Sequence, residues 1–148
     1  MELKLHPPVV MLLCAALMKL LSVWLPLMAL PQAPWLAMVL VALGLVSGIS
    51  GVVAFWRQRT TVNPHTPERT SALVTGGIYR LTRNPMYLGM ALFLAAWALW
   101  LGQLTPWVGI GVYVGYLNRF QIAPEERMLA QKFGAAWEAY RRRVRRWM

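Results

Sequence analysis

The sequence has few acidic residues, a single cysteine and almost no charge inside its hydrophobic runs. Five acidic residues stand against 15 basic ones in a chain of 148 residues, which gives a formal charge of +10. With Cys14 alone, the chain has neither a disulfide framework nor a paired-cysteine metal motif, and no metal site is predicted. None of the acidic residues falls inside a hydrophobic run. This argues against a small proton-coupled transporter, because such proteins depend on a carboxylate within the membrane.

Apolar residues are abundant instead. They make up 58% of the chain, more than a soluble domain of this length can bury, and a membrane protein is therefore expected. The basic residues crowd against the ends of the hydrophobic runs and do not form a patch on a soluble fold. They indicate orientation in a bilayer, and no binding to nucleic acid is predicted.

Four hydrophobic runs reach, or nearly reach, the length of about 20 residues that a membrane-spanning helix needs. They cover residues 8–30, 34–56, 86–104 and 106–122. The segment 57–85 and the tail after residue 119 carry most of the arginines, so the positive-inside rule places both in the cytoplasm, together with the N-terminus. The predicted fold is all-α, a single domain with four transmembrane helices in two hairpins. The expected location is a bacterial inner membrane.

Residues 124–147 are predicted to form a basic amphipathic helix on the inner membrane surface. Apolar side chains recur there every three or four positions, opposite Lys132 and the arginines. The apolar face consists of Leu129, Phe133, Trp137, Tyr140, Val144 and Trp147. Gly134 offers a position for a bend. Such a helix would anchor the chain, and it could also close over a site.

Two features of the hydrophobic runs have more than one explanation. Lys19, at mid-depth of the first run, is either a functional residue or a side chain that faces the bundle or snorkels to the surface. Gly44 and Gly48 in the second run are spaced as GxxxG, and so are Gly111 and Gly115 in the fourth. This spacing is typical of close helix contacts within a monomer, or of the contact face of a homodimer.

A polar segment, TGGIYRLTRNPMYLG at residues 75–89, precedes the third run. Asn84 and Pro85 mark a turn that enters a helix. The backbone amides of its first turn would form an anion site, which Arg80 and Arg83 would strengthen. The two glycines allow close backbone approach. The tyrosines at positions 79 and 87 provide flat faces that could stack on a heterocycle, or lie in an interfacial belt.

Arg119 and the adjacent pair Glu125 and Glu126 follow the fourth run. If the intervening stretch is a transmembrane hairpin, these residues return to the same face of the bilayer as residues 75–89 and could share one ligand with them. The glutamates also suit the first turn of the next helix, where acidic side chains are stabilising. Two carboxylates that face an arginine-rich loop could hold a ligand with both a cation and an anion.

In this order, the motifs resemble those of a known group of enzymes. NPMYLG, a helical hairpin, EE, then FG, Tyr140 and the closing RRRVRRW are similar to the isoprenylcysteine carboxyl methyltransferase and phospholipid methyltransferase group of integral membrane enzymes. The resemblance covers residues 73–147. The carboxyl methyltransferases usually have RHPxY; this chain has RNPMY, with Asn84 in place of histidine, which looks like the phospholipid N-methyltransferases.

The resemblance implies S-adenosylmethionine as the cofactor, bound at the cytoplasmic face, and methyl transfer to a lipophilic carboxylate or amine in the membrane. Methyl transfer is an in-line displacement that needs alignment in a dry site and no covalent nucleophile. Arg119 and Glu125 would be catalytic. The implied cofactor-binding residues are Gly77, Tyr79, Arg83, Asn84, Pro85, Tyr87, Glu125 and Glu126. The alternatives are a small four-helix transporter, and a structural membrane subunit, which leaves the pairing of RNPMY with EE unexplained.

Overall fold

The computed structural model describes residues 5–58 and 72–148, and the regular elements of this part of the chain are all helices, with no strand among them. The predicted all-α fold class is confirmed for these residues. A 3-10 helix precedes α3, and a π turn joins α4 to α5. Part of the loop predicted over residues 57–85 lies outside the described residues. The elements are α1 Pro7–Trp24, α2 Pro34–Arg57, the 3-10 helix Gly77–Arg80, α3 Pro85–Leu101, α4 Trp107–Leu117, the π turn Asn118–Ile122 and α5 Ala123–Arg143.

Proline in the first turn opens α1, α2 and α3, since it lacks the N–H group that this position leaves unpaired and its fixed φ suits a helix. Two helices end earlier than predicted. α1 ends at Trp24 and not at residue 30, because Pro26 disfavours helical backbone at the residue before it. α3 ends at Leu101 and not at residue 104, because Gly102 adopts the left-handed conformation (φ 62°) of a helix C-terminus.

The helices α1 and α2 are long and apolar enough to cross a membrane, and α3 is a shorter apolar helix. Most of the surface of α1 and α2 is not covered by protein. Leu12 and Leu20 on α1, and Met38 and Val46 on α2, are each more than half exposed. A contiguous apolar surface of this kind suits contact with lipid.

α3 lies in the middle of the bundle, with α2 on one side and α1 and α4 on the other. Glycines let α2 and α3 approach closely. A Cβ atom added at Gly89 would lie 2.6 Å from the carbonyl oxygen of Gly44, and one at Gly51 would lie 2.9 Å from a side-chain atom of α3. Neither position has room for a side chain, and at Gly89 the two backbones are in direct contact. Ser47, on the same face of α2, donates a hydrogen bond to the carbonyl oxygen of Pro85 at 2.7 Å.

The two GxxxG pairs therefore differ. The backbone of the α2 pair forms the close contact within the monomer that the spacing predicts, since a Cβ atom added at Gly89 would lie 2.6 Å from Gly44 O and 3.2 Å from Gly48 N. An added Cβ at Gly111 or Gly115 would meet no described atom within 4 Å beyond its chain neighbours and the nearby backbone of its own helix. The expectation of close contact within the monomer is wrong for the pair in α4, whose glycine face is open. A homodimer contact through that face stays a prediction.

Lys19 is exposed on the outer surface of α1, so the explanation that it faces the bundle is wrong. Because α1 ends at Trp24, Lys19 lies only about 8 Å along the axis from the helix end. A lysine side chain can snorkel over such a distance to reach water.

The helical backbone continues from α4 through the π turn into α5, where Gly134 (φ 46°, ψ −120°) bends it. The bend expected at this glycine is confirmed. The predicted limit of the tail helix is wrong, since α5 ends at Arg143 and Val144 has extended backbone (φ −123°, ψ 131°). Residues 144–148, hereafter the C-terminal strap, turn back toward the segment before α3.

Protein covers the apolar face of α5 beyond the bend. Trp137 and Tyr140 are 3% and 4% exposed, and with Val144 they pack against Val74 and Tyr79. This half of the helix was expected to rest on the bilayer, and that expectation is wrong because residues 74–79 occupy the face instead. α5 is thereby fixed onto the loop that precedes α3.

Candidate functional site

The segment before α3 is anchored by a buried tyrosine. The 3-10 helix Gly77–Arg80 begins with a glycine at φ 60°, buries Tyr79 and leaves its final arginine exposed. The ring of Tyr79 meets that of Phe55 edge to face, with centroids 5.5 Å apart. The hydroxyl of Tyr140 donates a hydrogen bond to the carbonyl oxygen of Tyr79 at 2.7 Å. Burial raises the pKa of Tyr79, which keeps its hydroxyl protonated.

Glu126 lies between two guanidinium groups. Arg83 Nη2 is 3.1 Å from Glu126 Oε1. Arg146 binds both carboxylate oxygens, with Nε 3.1 Å from Oε1 and Nη2 2.6 Å from Oε2. These three residues, hereafter the Glu126 cluster, carry a net charge of about +1, since two cations share one anion. The cluster is therefore suited to an additional anion.

Arg83 is the most confined member of the Glu126 cluster. Its side chain is 10% exposed, and its guanidinium carbon lies 5.4 Å from the ring centre of Trp137. Burial lowers the pKa of Arg83; the negative charge of Glu126 opposes this change, and the positive charge of Arg146 reinforces it. Two buried donors, Nε and Nη1, have no hydrogen-bond partner among the described residues. Because unpaired buried donors are costly, these two atoms mark a place where a ligand would bind.

Glu125 faces a different set of neighbours. Its Oε1 accepts hydrogen bonds from the hydroxyl of Tyr87 and from Nε2 of Gln121, both at 2.7 Å. Burial raises the pKa of Glu125 to about 7, although the two hydrogen bonds oppose this change and the negative charge of Glu126 reinforces it. Near neutral pH this carboxyl group can take up or release a proton.

The C-terminal strap lies across the segment before α3. The carbonyl oxygen of Arg145 accepts a hydrogen bond from the backbone N–H of Arg83 at 3.0 Å. The carbonyl oxygen of Arg146 accepts from Thr82 Oγ1 at 3.1 Å and from Asn84 Nδ2 at 2.9 Å. Two polar groups of the RNPMY segment, and the hydroxyl of Thr82 just before it, are thus satisfied by the C-terminal strap.

The structure brings some of the predicted site residues together and separates others. Arg83 and Glu126 meet in one ion pair, and Tyr87 meets Glu125 in a hydrogen bond. Asn84 supports the strap, as described above. Arg119 is exposed on the π turn, where its guanidinium lies 5.7 Å from the ring centre of Phe120.

Two further residues that were predicted to bind the cofactor have roles in the backbone structure. Pro85 is buried and opens α3, and its carbonyl oxygen binds Ser47 of α2. Gly77 is exposed at the start of the 3-10 helix. Their positions shape the segment around the site.

Four residues at the site were not predicted from the sequence: Asn118, Gln121, Arg146 and Trp147. Gln121 lies one helical turn before Glu125, on the same side of the helix, and this spacing could have indicated it. Asn118 Oδ1 accepts a hydrogen bond from Trp147 Nε1 at 3.0 Å and lies 3.5 Å from Arg146 Nη1. No local sequence pattern indicates the contacts of Asn118 with Arg146 and Trp147, because the strap continues an arginine-rich pattern that predicts a helix.

The chain is similar to a curated protein and to one family of known proteins. A protein of Haemophilus influenzae that carries only the description "Uncharacterized protein" is 46% identical over 63 residues, which are 43% of this chain and the whole of that protein. No solved structure matches the chain. The model of the family described as "Phospholipid methyltransferase" matches residues 33–136. This match includes α2, α3, α4, the RNPMY segment and both adjacent glutamates, and the chain belongs to the phospholipid methyltransferase family.

Proposed function

We propose that this protein transfers a methyl group from S-adenosylmethionine to a lipophilic acceptor in the membrane. The observation that carries the proposal is the pair of unpartnered donors on Arg83, within a cluster of net positive charge. Family membership supports methyl transfer. The hairpin of α3 and α4 lies between Arg83 and Glu126 in the sequence and returns them to the same end of the bundle, which supports a single site there.

The residues of the Glu126 cluster fit one end of this cofactor. Arg83 would bind its carboxylate with the donors Nε and Nη1, in a charge-assisted contact. Glu126 is already paired with two arginines, so its proposed role is to hold Arg83 and not to bind the ammonium group of the cofactor. When bound, S-adenosylmethionine supplies an activated methyl group on a sulfonium.

Glu125 is proposed to handle the proton of the acceptor. It is held by two neutral donors, Tyr87 and Gln121. It has no direct arginine partner in the contacts described above, so its charge is not fixed by an ion pair. An amine acceptor would have to lose a proton before attack, and Glu125 would receive it; a carboxylate acceptor would need no such step. Arg119 is exposed, and no catalytic step is assigned to it.

Four membrane-spanning helices are proposed from the distribution of tryptophan and charge. Trp24, Trp35, Trp100 and Trp107 lie at the adjoining ends of α1, α2, α3 and α4, and each is at least 36% exposed. The two turns at this end lie side by side, since Leu30 and Gly102 share a backbone hydrogen bond. Exposed tryptophans at one level are typical of a membrane interface.

The opposite end carries the arginines. Arg57 ends α2, Arg83 precedes α3, and the tail of α5 is rich in arginine. By the positive-inside rule, this end and the site are cytoplasmic. The third span is short, since α3 has 17 residues and measures about 26 Å against a hydrocarbon core of about 30 Å.

The acceptor is proposed to enter from the bilayer beside Glu125. Tyr87, the hydrogen-bond partner of Glu125, belongs to the same apolar cluster as Leu94, Tyr113 and Leu117 of the bundle. An apolar groove of about 510 Å³ also lies between α2 and α3, lined by Phe93 and other side chains of the tryptophan-rich half. Its lining comes from α2 and α3 and does not include Tyr87, so the groove is not assigned to the acceptor.

The test is binding of S-adenosylhomocysteine, the demethylated cofactor, to purified protein in lipid nanodiscs, measured by calorimetry. The parent should bind saturably. Arg83→Met should raise Kd by about tenfold or more, because it removes charge-assisted hydrogen bonds worth roughly 1.5 to 3 kcal/mol. Arg142→Met is the matched control, since Arg142 is exposed on α5. It should bind like the parent.

Turnover is measured with radiolabelled S-adenosylmethionine and membranes that contain the overexpressed protein, followed by extraction of lipids. Label in the lipid fraction is the expected result. Its loss in Glu125→Gln indicates an amine acceptor, whereas its retention indicates a carboxylate acceptor. The proposal is overturned if the parent shows no saturable binding of S-adenosylhomocysteine, or if Arg83→Met binds it as tightly as the parent does.

A further inference from the structure

The C-terminal strap carries an arginine whose side chain faces the site and which lies beyond the residues that the family model matches. Arg146 follows the match to residues 33–136 by several positions. It binds both oxygens of Glu126, and this pairing raises the pKa of Arg146. Its side chain also lies 3.5 Å from Asn118 Oδ1, which Trp147 binds as well. Glu126 of α5 and Asn118 of the π turn thus hold the side chain of Arg146 on two sides.

The geometry of the Glu126 cluster decides which donors of Arg83 are available. Arg146 uses both carboxylate oxygens, so Glu126 is left with a single contact to Arg83, through Nη2. The other donors of Arg83, Nε and Nη1, have no partner among the described residues. A carboxylate without a second partner prefers to bind a guanidinium group with both oxygens. In the absence of Arg146, Glu126 would therefore turn and occupy one of these donors.

We propose that Arg146 is a positioning residue of the anion site, which holds Glu126 away from the donors of Arg83 that bind the ligand carboxylate. The identity of the ligand rests on the function proposed above. Arg146 itself is not assigned a contact with the cofactor. Its action is indirect, through Glu126, and it adds a second positive charge to the site. Arg83 thereby remains both charged and unpaired on its ligand side.

The experiment compares two nucleosides that differ only at the end that Arg83 would bind. S-adenosylhomocysteine has the amino acid end, and 5′-methylthioadenosine lacks it. Arg146→Met should raise the Kd of S-adenosylhomocysteine by about tenfold or more and leave the Kd of methylthioadenosine unchanged. Arg146→Lys keeps the charge but cannot form the bidentate contact with Glu126. Its Kd for S-adenosylhomocysteine should therefore lie between those of the parent and Arg146→Met. Arg145→Met removes an exposed charge from the same strap and should change neither Kd.

A double variant tests the cause. If the loss in Arg146→Met arises because Glu126 closes onto Arg83, then Glu126→Gln in the Arg146→Met background should recover part of the affinity for S-adenosylhomocysteine, since a neutral amide competes weakly for a guanidinium. If Arg146 only stabilised the fold, the losses of affinity caused by the two substitutions would add up in the double variant. Thermal unfolding of each variant, followed by circular dichroism, shows whether the fold is retained.

The outcomes separate the two proposals. If the parent binds S-adenosylhomocysteine and Arg146→Met binds it equally tightly, the assignment of Arg146 is wrong and the proposed function stands. Equal weakening of both nucleosides, or further loss in the double variant, also overturns the positioning role. If the parent binds neither nucleoside, the proposed function fails, and the assignment of Arg146 fails with it.

Discussion

Replacing Glu125 by glutamine is expected to flatten the pH dependence of thermal stability. Burial raises the pKa of this carboxyl group from 4.5 to about 7, so the folded protein holds a proton between these values that the unfolded chain has released. Stability is then greatest at low pH, and it is lost as pH rises through about 7. Glutamine is neutral at every pH, and its amide oxygen can still accept hydrogen bonds from Tyr87 and Gln121.

The size of the effect follows from the change in pKa. A rise from 4.5 to about 7 corresponds to a loss of at most about 3 kcal/mol when Glu125 ionises in the folded protein. This loss accumulates between pH 4.5 and about 7, so about 2 kcal/mol of it falls between pH 5.5 and pH 8.5. In a chain of this length, that part of the loss moves the unfolding temperature by several degrees. The unfolding temperature of the parent should therefore be lower at about pH 8.5 than at about pH 5.5. The corresponding decrease in Glu125→Gln should be smaller.

The assay is thermal unfolding in detergent micelles across this pH range, with the difference between parent and variant taken at each pH. Glu138→Gln is the matched control, because Glu138 lies on the same helix, is 42% exposed and pairs with Arg141. It should follow the pH dependence of the parent. The reasoning is refuted if the difference in unfolding temperature between parent and Glu125→Gln is the same at both ends of the range.

Three other predictions concern the bundle. Gly89→Val should destabilise the fold by several kcal/mol or prevent insertion, because an added Cβ would lie 2.6 Å from the backbone oxygen of Gly44. Gly115→Val, at an open position, should be tolerated. Equal yields and equal unfolding temperatures for the two variants would contradict this prediction. Lys19→Met should leave methyl transfer unchanged and stability equal or higher, since the side chain is exposed on α1; lost turnover with intact cofactor binding would instead place Lys19 on the acceptor route. Reporter tags after Thr105 and after Met148 should lie outside and inside the cytoplasm respectively, and a C-terminus outside would refute two hairpins.

The sequence determined the features that depend on neighbouring residues. Proline at the first position of a helix specifies where α1, α2 and α3 begin, and Gly134 specifies the bend in α5, because both act through local backbone geometry. The expectation that Arg83 lies near Glu126 also came from the sequence. It required only that the apolar stretch between them form a hairpin, so that both ends return to one side of the bundle.

The tertiary structure decided which partners these side chains have. Residues 144–147 continue an amphipathic pattern and read as helix, yet hydrogen bonds from Arg83, Thr82 and Asn84 hold the strap in a non-helical path. The covering of Trp137 by residues 74–79, and the ionisation of Glu125, depend on contacts between distant parts of the chain. Periodicity describes which face of a helix is apolar, whereas it contains no information about what covers that face. Long-range contacts therefore added Arg146 to the site and left Arg119 on the surface.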